Sequence, residues 1–391
     1  MLSPSEIKSI EDQHESGVYG KIDIALVRGE GAHLWDTDGR MYIDCMSGHG
    51  VANVGHANPA VAQAVAEQAR SLITCHSALY NEQRALLMRK LTEIAPPGLE
   101  RVFFCNSGAE AVEGAFKFAR ISTGRTGIVA TMRGFHGRTF GALSATWNKA
   151  YREPFEPLVP GFEFVPYGKL DRMEEVVNDE TAAVILEVVQ GEGGVHPGAG
   201  DYLRSVQALC QERGALFIAD EVQTGFGRTG RMFACEHHDL RPDMMTVAKG
   251  IAGGLPMGAV LVGSRVGEIP RRVHNNTFGA NPLCCAAAVA AIDFMLSEDL
   301  PGRAAKLGAQ MMDGFAAIES PLIREVRGLG LMVAVELKKP VSPYLAALAE
   351  GGVLALTAGQ NVMRFLPPLV IDEDDVAAVV AKTTEILAAD A

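Results

Sequence analysis

The 391-residue chain contains no apolar run approaching the ~18 residues that a membrane-spanning helix needs, so no membrane partner is expected. Its start has no charged stretch leading into an apolar core, and no secretory leader is expected. The seven cysteines are odd in number and have no paired spacing. Cys284 and Cys285 are adjacent, which suits buried thiols better than a disulfide framework. A reducing, cytoplasmic setting follows as the expectation. Positive charge is in deficit. Lys and Arg number 35 against 47 Asp and Glu, and the formal net charge of −12 argues against nucleic acid as a partner. No repeat, low-complexity tract or Pro/Ser-rich linker interrupts the chain. No G-x-x-x-x-G-K-[ST] occurs, so a P-loop lacks support. No metal site is expected, because Cys235-Glu-His237-His238 has no second ligand pair at zinc-like spacing.

What is present is the composition of a large globular enzyme, 48% hydrophobic and 21% charged, with 42 glycines for tight turns. Its length suits two or three domains. Short apolar runs beginning at Arg101, Gly127, Ala182, Leu216, Met244 and Ala259 alternate with helical windows such as 109–121 and 202–213. That alternation predicts an α/β fold with a mostly parallel sheet covered by helices, and catalytic groups at the carboxyl ends of its strands. Residues 291–320 look like a long helix and its continuation. Beyond them an alternating strand over 323–337, a short strand ending near Arg364 and a final amphipathic helix suggest a smaller α+β domain. The expected division is an N-terminal segment 1–50 that joins the small domain through a hairpin, a large domain 51–290, and a small domain 291–391.

Two strand ends carry the most chemistry. Leu216-Phe-Ile-Ala-Asp220 ends on a carboxylate, and 249 − 220 = 29 residues later an apolar strand delivers Lys249 into a glycine-rich turn. A pyridoxal phosphate enzyme needs this pair: an amine to form a Schiff base and a carboxylate to hold the pyridinium nitrogen protonated. Asn106-Ser107-Gly108-Ala109-Glu110 reads as a strand-to-helix turn with an S-x-x-E capping box, whose free N–H groups suit a phosphate. In Gly134-Phe135-His136-Gly137-Arg138, Phe135 can stack on a ring and Arg138 can take a carboxylate bidentately. Glu192 reads as a partner for an arginine. Arg364, between apolar neighbours, either pairs internally or holds a substrate carboxylate. Gly225-Phe-Gly227-Arg-Thr-Gly230 fits G-x-G-x-x-G literally, but five residues separate it from the strand and no helix pattern follows. It is not a dinucleotide site.

Taken together, Asn106-Ser-Gly-Ala-Glu-Ala111, Phe135-His-Gly-Arg-Thr139, Gln190-Gly-Glu-Gly193, Asp220-Glu-Val-Gln-Thr-Gly225, Lys249-Gly and Thr277-Phe-Gly-Ala-Asn-Pro282 resemble class III aminotransferases over nearly the whole chain. The segments Ile323–Met332 and Arg364–Val370 resemble the acetylornithine branch, and within it the lysine-biosynthesis enzymes acting on lysine held by a small acidic carrier protein. The resemblance implies pyridoxal phosphate fold type I, with a seven-stranded large-domain sheet, and pyridoxal 5′-phosphate as cofactor. It implies Lys249 as Schiff-base lysine and proton shuttle, Asp220 on the ring nitrogen, Gln223 on the ring hydroxyl and Phe135 stacked on the ring. Ser107, Gly108 and Ala109 would hold the phosphate, with Thr277 from a second subunit, so a homodimer is the implied minimum. Arg138 would bind the α-carboxylate of the ω-amino substrate, and Arg364 that of glutamate, with Glu192 neutralising Arg364 in the other half-reaction. Tyr19 matches a substrate-contacting tyrosine. The implied reaction moves an amino group between glutamate/2-oxoglutarate and an acylated or carrier-linked lysine or ornithine, in lysine or arginine biosynthesis. Two departures stand out: Ala109 replaces a frequent Thr, and Val188 replaces a usual Pro. Ornithine or 4-aminobutyrate aminotransferase is the rival activity, and a pyridoxal-phosphate-binding regulator without turnover is the rival of another class.

Overall fold

The computed structural model describes residues 2–390. Its centre is a seven-stranded sheet of Leu99–Cys105, Gly127–Thr131, Phe162–Val165, Thr181–Leu186, Leu216–Asp220, Met244–Val247 and Gly258–Gly263. By first residue the strand order is 99–258–244–216–181–127–162. Gly258–Gly263 runs antiparallel to both neighbours, while the remaining pairs are parallel, so the sheet is mostly parallel as expected. Every residue of the 181–186, 216–220, 244–247 and 258–263 strands is buried. Strands covered on both faces have no polar side to alternate with, which is why they read as continuous apolar runs. The two faces separate by residue parity. Ile218 packs with Ala111, Ala115 and Val260 on one side, and Phe217 packs with Leu203 and Val206 on the other.

The helix expected over 291–320 is two helices, Pro282–Ser297 and Leu300–Ala316. The break is local chemistry: Asp299 adopts φ +44 and its carboxylate accepts from Gly302 N at 3.2 Å, with Pro301 in the first turn. The first helix starts well before 291, at a cap where Asn281 accepts from Cys284 N at 2.9 Å. The expected boundary at 290/291 therefore falls inside a helix. That helix is Ala- and Cys-rich and buried over most of its surface, so it carries no amphipathic signal to mark its ends.

Two further four-stranded sheets flank the centre. Leu26–Glu30, His33–Asp36 and Met41–Asp44 are joined by Val353–Leu354, so an early hairpin pairs with a late strand. Ile323–Leu329, Met332–Leu337, Val362–Phe365 and Leu356–Thr357 form the other. Arg364 lies in this second sheet, opposite Ala334 and Leu356. Among the described residues no helix is long and apolar enough to cross a membrane.

Candidate active site

The parallel strands deliver their ends to one place. Lys249 follows Met244–Val247 and opens a short turn with φ +43, a left-handed conformation that a lysine adopts at a cost. Beside it, a Cβ on Gly250 would lie 2.5 Å from Asn53 Nδ2, so glycine lets the chain pack against Asn53 here. Burial pulls the Lys249 amine below its ordinary pKa, against the opposing charges of Glu192 and Asp220.

Asp220 is 4% exposed and fully engaged: Oδ1 accepts from Val222 N at 3.1 Å and Thr246 Oγ1 at 3.0 Å, and Oδ2 lies 2.6 Å from His136 Nδ1. A carboxylate can only accept, so His136 Nδ1 carries the hydrogen. Burial alone would depress this imidazole, but the Asp220 hydrogen bond and charge outweigh it and hold the pKa above its usual value. His136 Nε2 is buried without a partner. Sequence reasoning gave His136 no role. Its partner lies 84 positions away, and the one available signal was its place between Phe135 and Arg138.

Glu187 is buried beside this pair and accepts from Phe135 N and Gly191 N, each at 3.0 Å. Burial pushes its carboxyl up to about 7; the Asp220 charge adds to this, while His136 and the two backbone amides oppose it.

At the helix Gly108–Thr123, Ser107 accepts from Glu110 N at 3.2 Å as an N-cap. The reciprocal half of the expected capping box does not form. Glu110 Oε2 reaches past Ser107 and accepts from Asn106 N at 2.7 Å. The N–H groups of Ser107, Gly108 and Ala109 are left without an acceptor among the described residues. Three unspent donors at a positive dipole end make an anion cradle.

Arg364 is completely buried. Its Nη2 forms an ion pair with Glu192 Oε1 at 2.7 Å without hydrogen-bond alignment, its Nη1 donates to Gln223 Oε1 at 3.2 Å, and its Nε has no acceptor. Burial works against the Glu192 carboxylate, but the Arg364 and Lys249 charges more than offset it and hold its pKa below normal. Gln223 thus turns its carbonyl oxygen toward Arg364, and it fits there because a Cβ on Gly191 would collide with it. Arg138 is exposed, its guanidinium 3.5 Å over Tyr151 and 5.6 Å from the Phe135 ring.

A cavity of about 370 Å³ brings together Ser107, Gly108, Phe135, Asp220, Gln223 and Lys249, with Glu192 on its wall. Pyridoxal 5′-phosphate fits this donor set: free N–H groups for phosphate, an aromatic wall, a buried carboxylate, an amide and a desolvated amine face one space. Four expected residues do not line it: Arg364, which lies behind Glu192 and Gln223, Arg138, which lines the adjoining outer cavity, and Tyr19 and Thr277. Tyr19 is 70% exposed, in an irregular stretch between Gly17 and Gly20. Thr277 is exposed and lines no part of the cavity within its own chain.

The family model described as "Aminotransferase class-III" matches residues 16–387. The chain is 49% identical to a "[LysW]-aminoadipate semialdehyde transaminase" of Deinococcus radiodurans, covering 98% of this chain and 91% of that protein. It is 46% identical to an "Acetylornithine aminotransferase" of Methanopyrus kandleri, covering 98% and 99% of the two chains. A structure of the ornithine aminotransferase from Toxoplasma gondii, with partial occupancy of PLP at its active site, matches with a TM-score of 0.95 and 32% identity. It covers 99% of this chain and 94% of that one.

Proposed function

The chain belongs to the class-III aminotransferases and depends on pyridoxal phosphate, and from that premise we propose that it transfers an amino group between glutamate/2-oxoglutarate and the terminal carbon of an acylated or carrier-linked lysine or ornithine. The observation that carries this reading is the Glu192–Arg364 pair at 2.7 Å, next to Lys249. An aminotransferase must accept two unlike substrates in one site. With Glu192 in place, Arg364 is neutralised and presents no anion site to an ω-amine. When glutamate enters, its carboxylate replaces Glu192 on Arg364 and uses the guanidinium donor that lacks an acceptor. Arg138, at the opposite and exposed side, takes the carboxylate of the ω-amino substrate.

When bound, pyridoxal phosphate supplies an aldehyde for the amino group and a ring that accepts electron density. The chain supplies the rest. Ser107, Gly108 and Ala109 would hold the phosphate through backbone N–H groups. Asp220, fixed by His136 and Thr246, would be the partner of the ring nitrogen. Phe135 would supply an aromatic wall for the ring. Lys249 Nζ, which burial makes easier to deprotonate, takes the proton from the amine-bearing carbon of the substrate and returns it on the other side of the transfer. Thr277 contributes from a second copy, which makes the working unit a homodimer. Arg133, Arg138 and Lys149 line the cavity that adjoins the site, and a small acidic carrier protein is the partner that suits these charges.

The test is single-turnover change of cofactor absorbance in the holoenzyme with glutamate, acetylornithine, acetyllysine, carrier-linked lysine, free ornithine and 4-aminobutyrate. Response to glutamate and an acylated or carrier-linked substrate is expected. Response to free ornithine or 4-aminobutyrate instead would move the assignment to those activities, and no response to any amine would leave a binding protein.

A further inference from the structure

Of the two partners in the Glu192–Arg364 pair, only one has room to move. Arg364 sits in the strand Val362–Phe365 with none of its side chain exposed, whereas 26% of the Glu192 side chain is open. Glu192 stands between Gly191 and Gly193-Gly194 and lines two cavities, the inner one described above and an outer one of about 660 Å³. A substrate carboxylate that takes its place on Arg364 therefore sends Glu192 outward. A carboxylate released into a partly buried cavity is costly unless it meets a positive partner.

The outer cavity offers His49. This residue belongs to four consecutive left-handed residues, Ser47, Gly48, His49 and Gly50, with φ of +48, +58, +66 and +80. Glycine adopts such angles freely, and an imidazole there carries a backbone cost that a glycine would not. The turn is fastened to the end of the Arg364 strand. Ser47 Oγ donates to Leu366 O at 2.5 Å, Leu366 N donates to Cys45 O at 2.8 Å, and Gly50 packs against Leu366 and Gln223. Strain and anchoring together fix where the imidazole stands. Three charges face it, Glu192, Arg364 and Lys249, and Glu192 acts on it most strongly. Arg133, Arg138 and Lys149 also line the cavity, but Arg133 is turned to His196 and Arg138 lies over Tyr151.

Partial burial, helped by the Arg364 and Lys249 charges, keeps His49 below its ordinary pKa against the pull of Glu192. While Glu192 stays on Arg364, the ring is neutral. Because His49 is open to the cavity, solvent can protonate it once a carboxylate comes beside it.

We propose that His49 is the outer station of the Glu192 carboxylate: when a substrate carboxylate occupies Arg364, Glu192 turns to His49, which takes a proton from solvent and pairs with it. On return of Glu192 to Arg364 the proton goes back to solvent. The glutamate half of the cycle is thereby linked to proton uptake, and the ω-amine half is not. This rests on the ω-aminotransferase reading, with His49 as a positioning residue for the switch. A group charged only in the open state favours that state at low pH, so binding on the glutamate side weakens as pH rises.

The experiment is calorimetric binding of glutarate to the holoenzyme across pH, in buffers of different ionisation enthalpy, with cofactor absorbance followed in parallel. Glutarate carries both carboxylates of glutamate and no amine to transfer. Uptake of up to about one proton per site is expected near neutral pH, with affinity falling by up to about ten-fold per pH unit there. The uptake fades at acid pH, where the ring is already charged. His49→Gln, checked for unchanged cofactor absorbance, is expected to bind glutarate with little uptake and a flat pH dependence. Glu192→Gln, which has no carboxylate to release, should lose the uptake as well. α-N-Acetylnorvaline, an ω-side probe that leaves Glu192 on Arg364, should bind without it. No uptake in the wild type, the same uptake in either variant, or equal uptake with the norvaline probe overturns the proposal. Turnover of glutamate and acetylornithine is measured separately. Its failure sinks the aminotransferase reading, whereas missing uptake beside intact turnover sinks only the role of His49.

Discussion

Arg364 concentrates the residue-scale chemistry, because it is fully buried yet has donors to spare. Removing it deletes charge-assisted hydrogen bonds worth about 1.5–3 kcal/mol, or about 10- to 100-fold in rate. Arg364→Ala is expected to slow the glutamate half-reaction by that factor and the ω-amine half-reaction much less, read by single-turnover kinetics on each. Equal loss in both halves would refute the Glu192 switch. Glu187 gives a second prediction, in stability. Its folded-state pKa of about 7 lies above the ordinary 4.5. Below 4.5 the group is protonated folded or unfolded and contributes nothing. As pH rises the unfolded chain ionises first, so stability is lost between pH 4.5 and 7, by at most about 3 kcal/mol. Glu187→Gln should flatten that loss in the cofactor-free protein, measured as denaturation midpoint against pH. It should also add a pH-independent penalty, because the amide NH₂ faces a backbone N–H that Glu187 now accepts. Parallel pH profiles for variant and wild type would show that burial is not what perturbs this carboxyl.

Among elements, the segment 225–230 explains the glycine pattern that was set aside as a nucleotide motif. Its centre, Arg228, is fully buried and donates to Leu331 O at 2.9 Å, Pro367 O at 2.5 Å and Asn53 Oδ1 at 2.9 Å. Burial lowers this guanidinium to about 9, so the charge is retained near neutrality. The motif is a clamp that ties the loop after Asp220 to the sheet bearing Arg364. Arg228→Met would leave three acceptors unpaired, and a loss of about 3 kcal/mol or more is expected in chemical denaturation. A second contact reverses an ordinary rule. Gly→Ala inside a helix normally gains about 1 kcal/mol. At Gly308, in the helix Leu300–Ala316, a new Cβ would collide with the backbone of Gly330. Backbone cannot step aside as a side-chain tip can, so Gly308→Ala should destabilise the protein, and a raised melting temperature would contradict this packing.

At the scale of the whole molecule, the proposed homodimer makes a prediction about exposed apolar surface. Tyr80, Leu79, Phe278 and Val273 are all exposed large apolar residues, and Leu79 and Tyr80 line a cavity with Arg271 and Arg272. Thr277 lies in the same exposed stretch. Light scattering is expected to give twice the 41.6 kDa chain mass, and Tyr80→Asp to shift it toward the monomer with weakened cofactor retention. A wild-type monomer that retains cofactor would remove Thr277 from the site.

Strand ends were legible in the sequence because buried parallel strands are short apolar runs, and the residue that ends each run is conspicuous. Asp220, Lys249 and the turn at Ser107 are therefore visible in local pattern alone. The helix start at Pro282 was not legible, since a helix buried on nearly all sides has no periodic polar face. The pairing of His136 with Asp220, the course of Glu110 past Ser107 to Asn106, and the convergence of Arg228 on three distant carbonyl-type acceptors depend on how separate segments pack. So do the charges facing the outer cavity. Periodicity and caps act within a few residues and are written in order along the chain. Hydrogen bonds and burial act through space, between residues whose separation in sequence carries no information, and only the folded arrangement decides them.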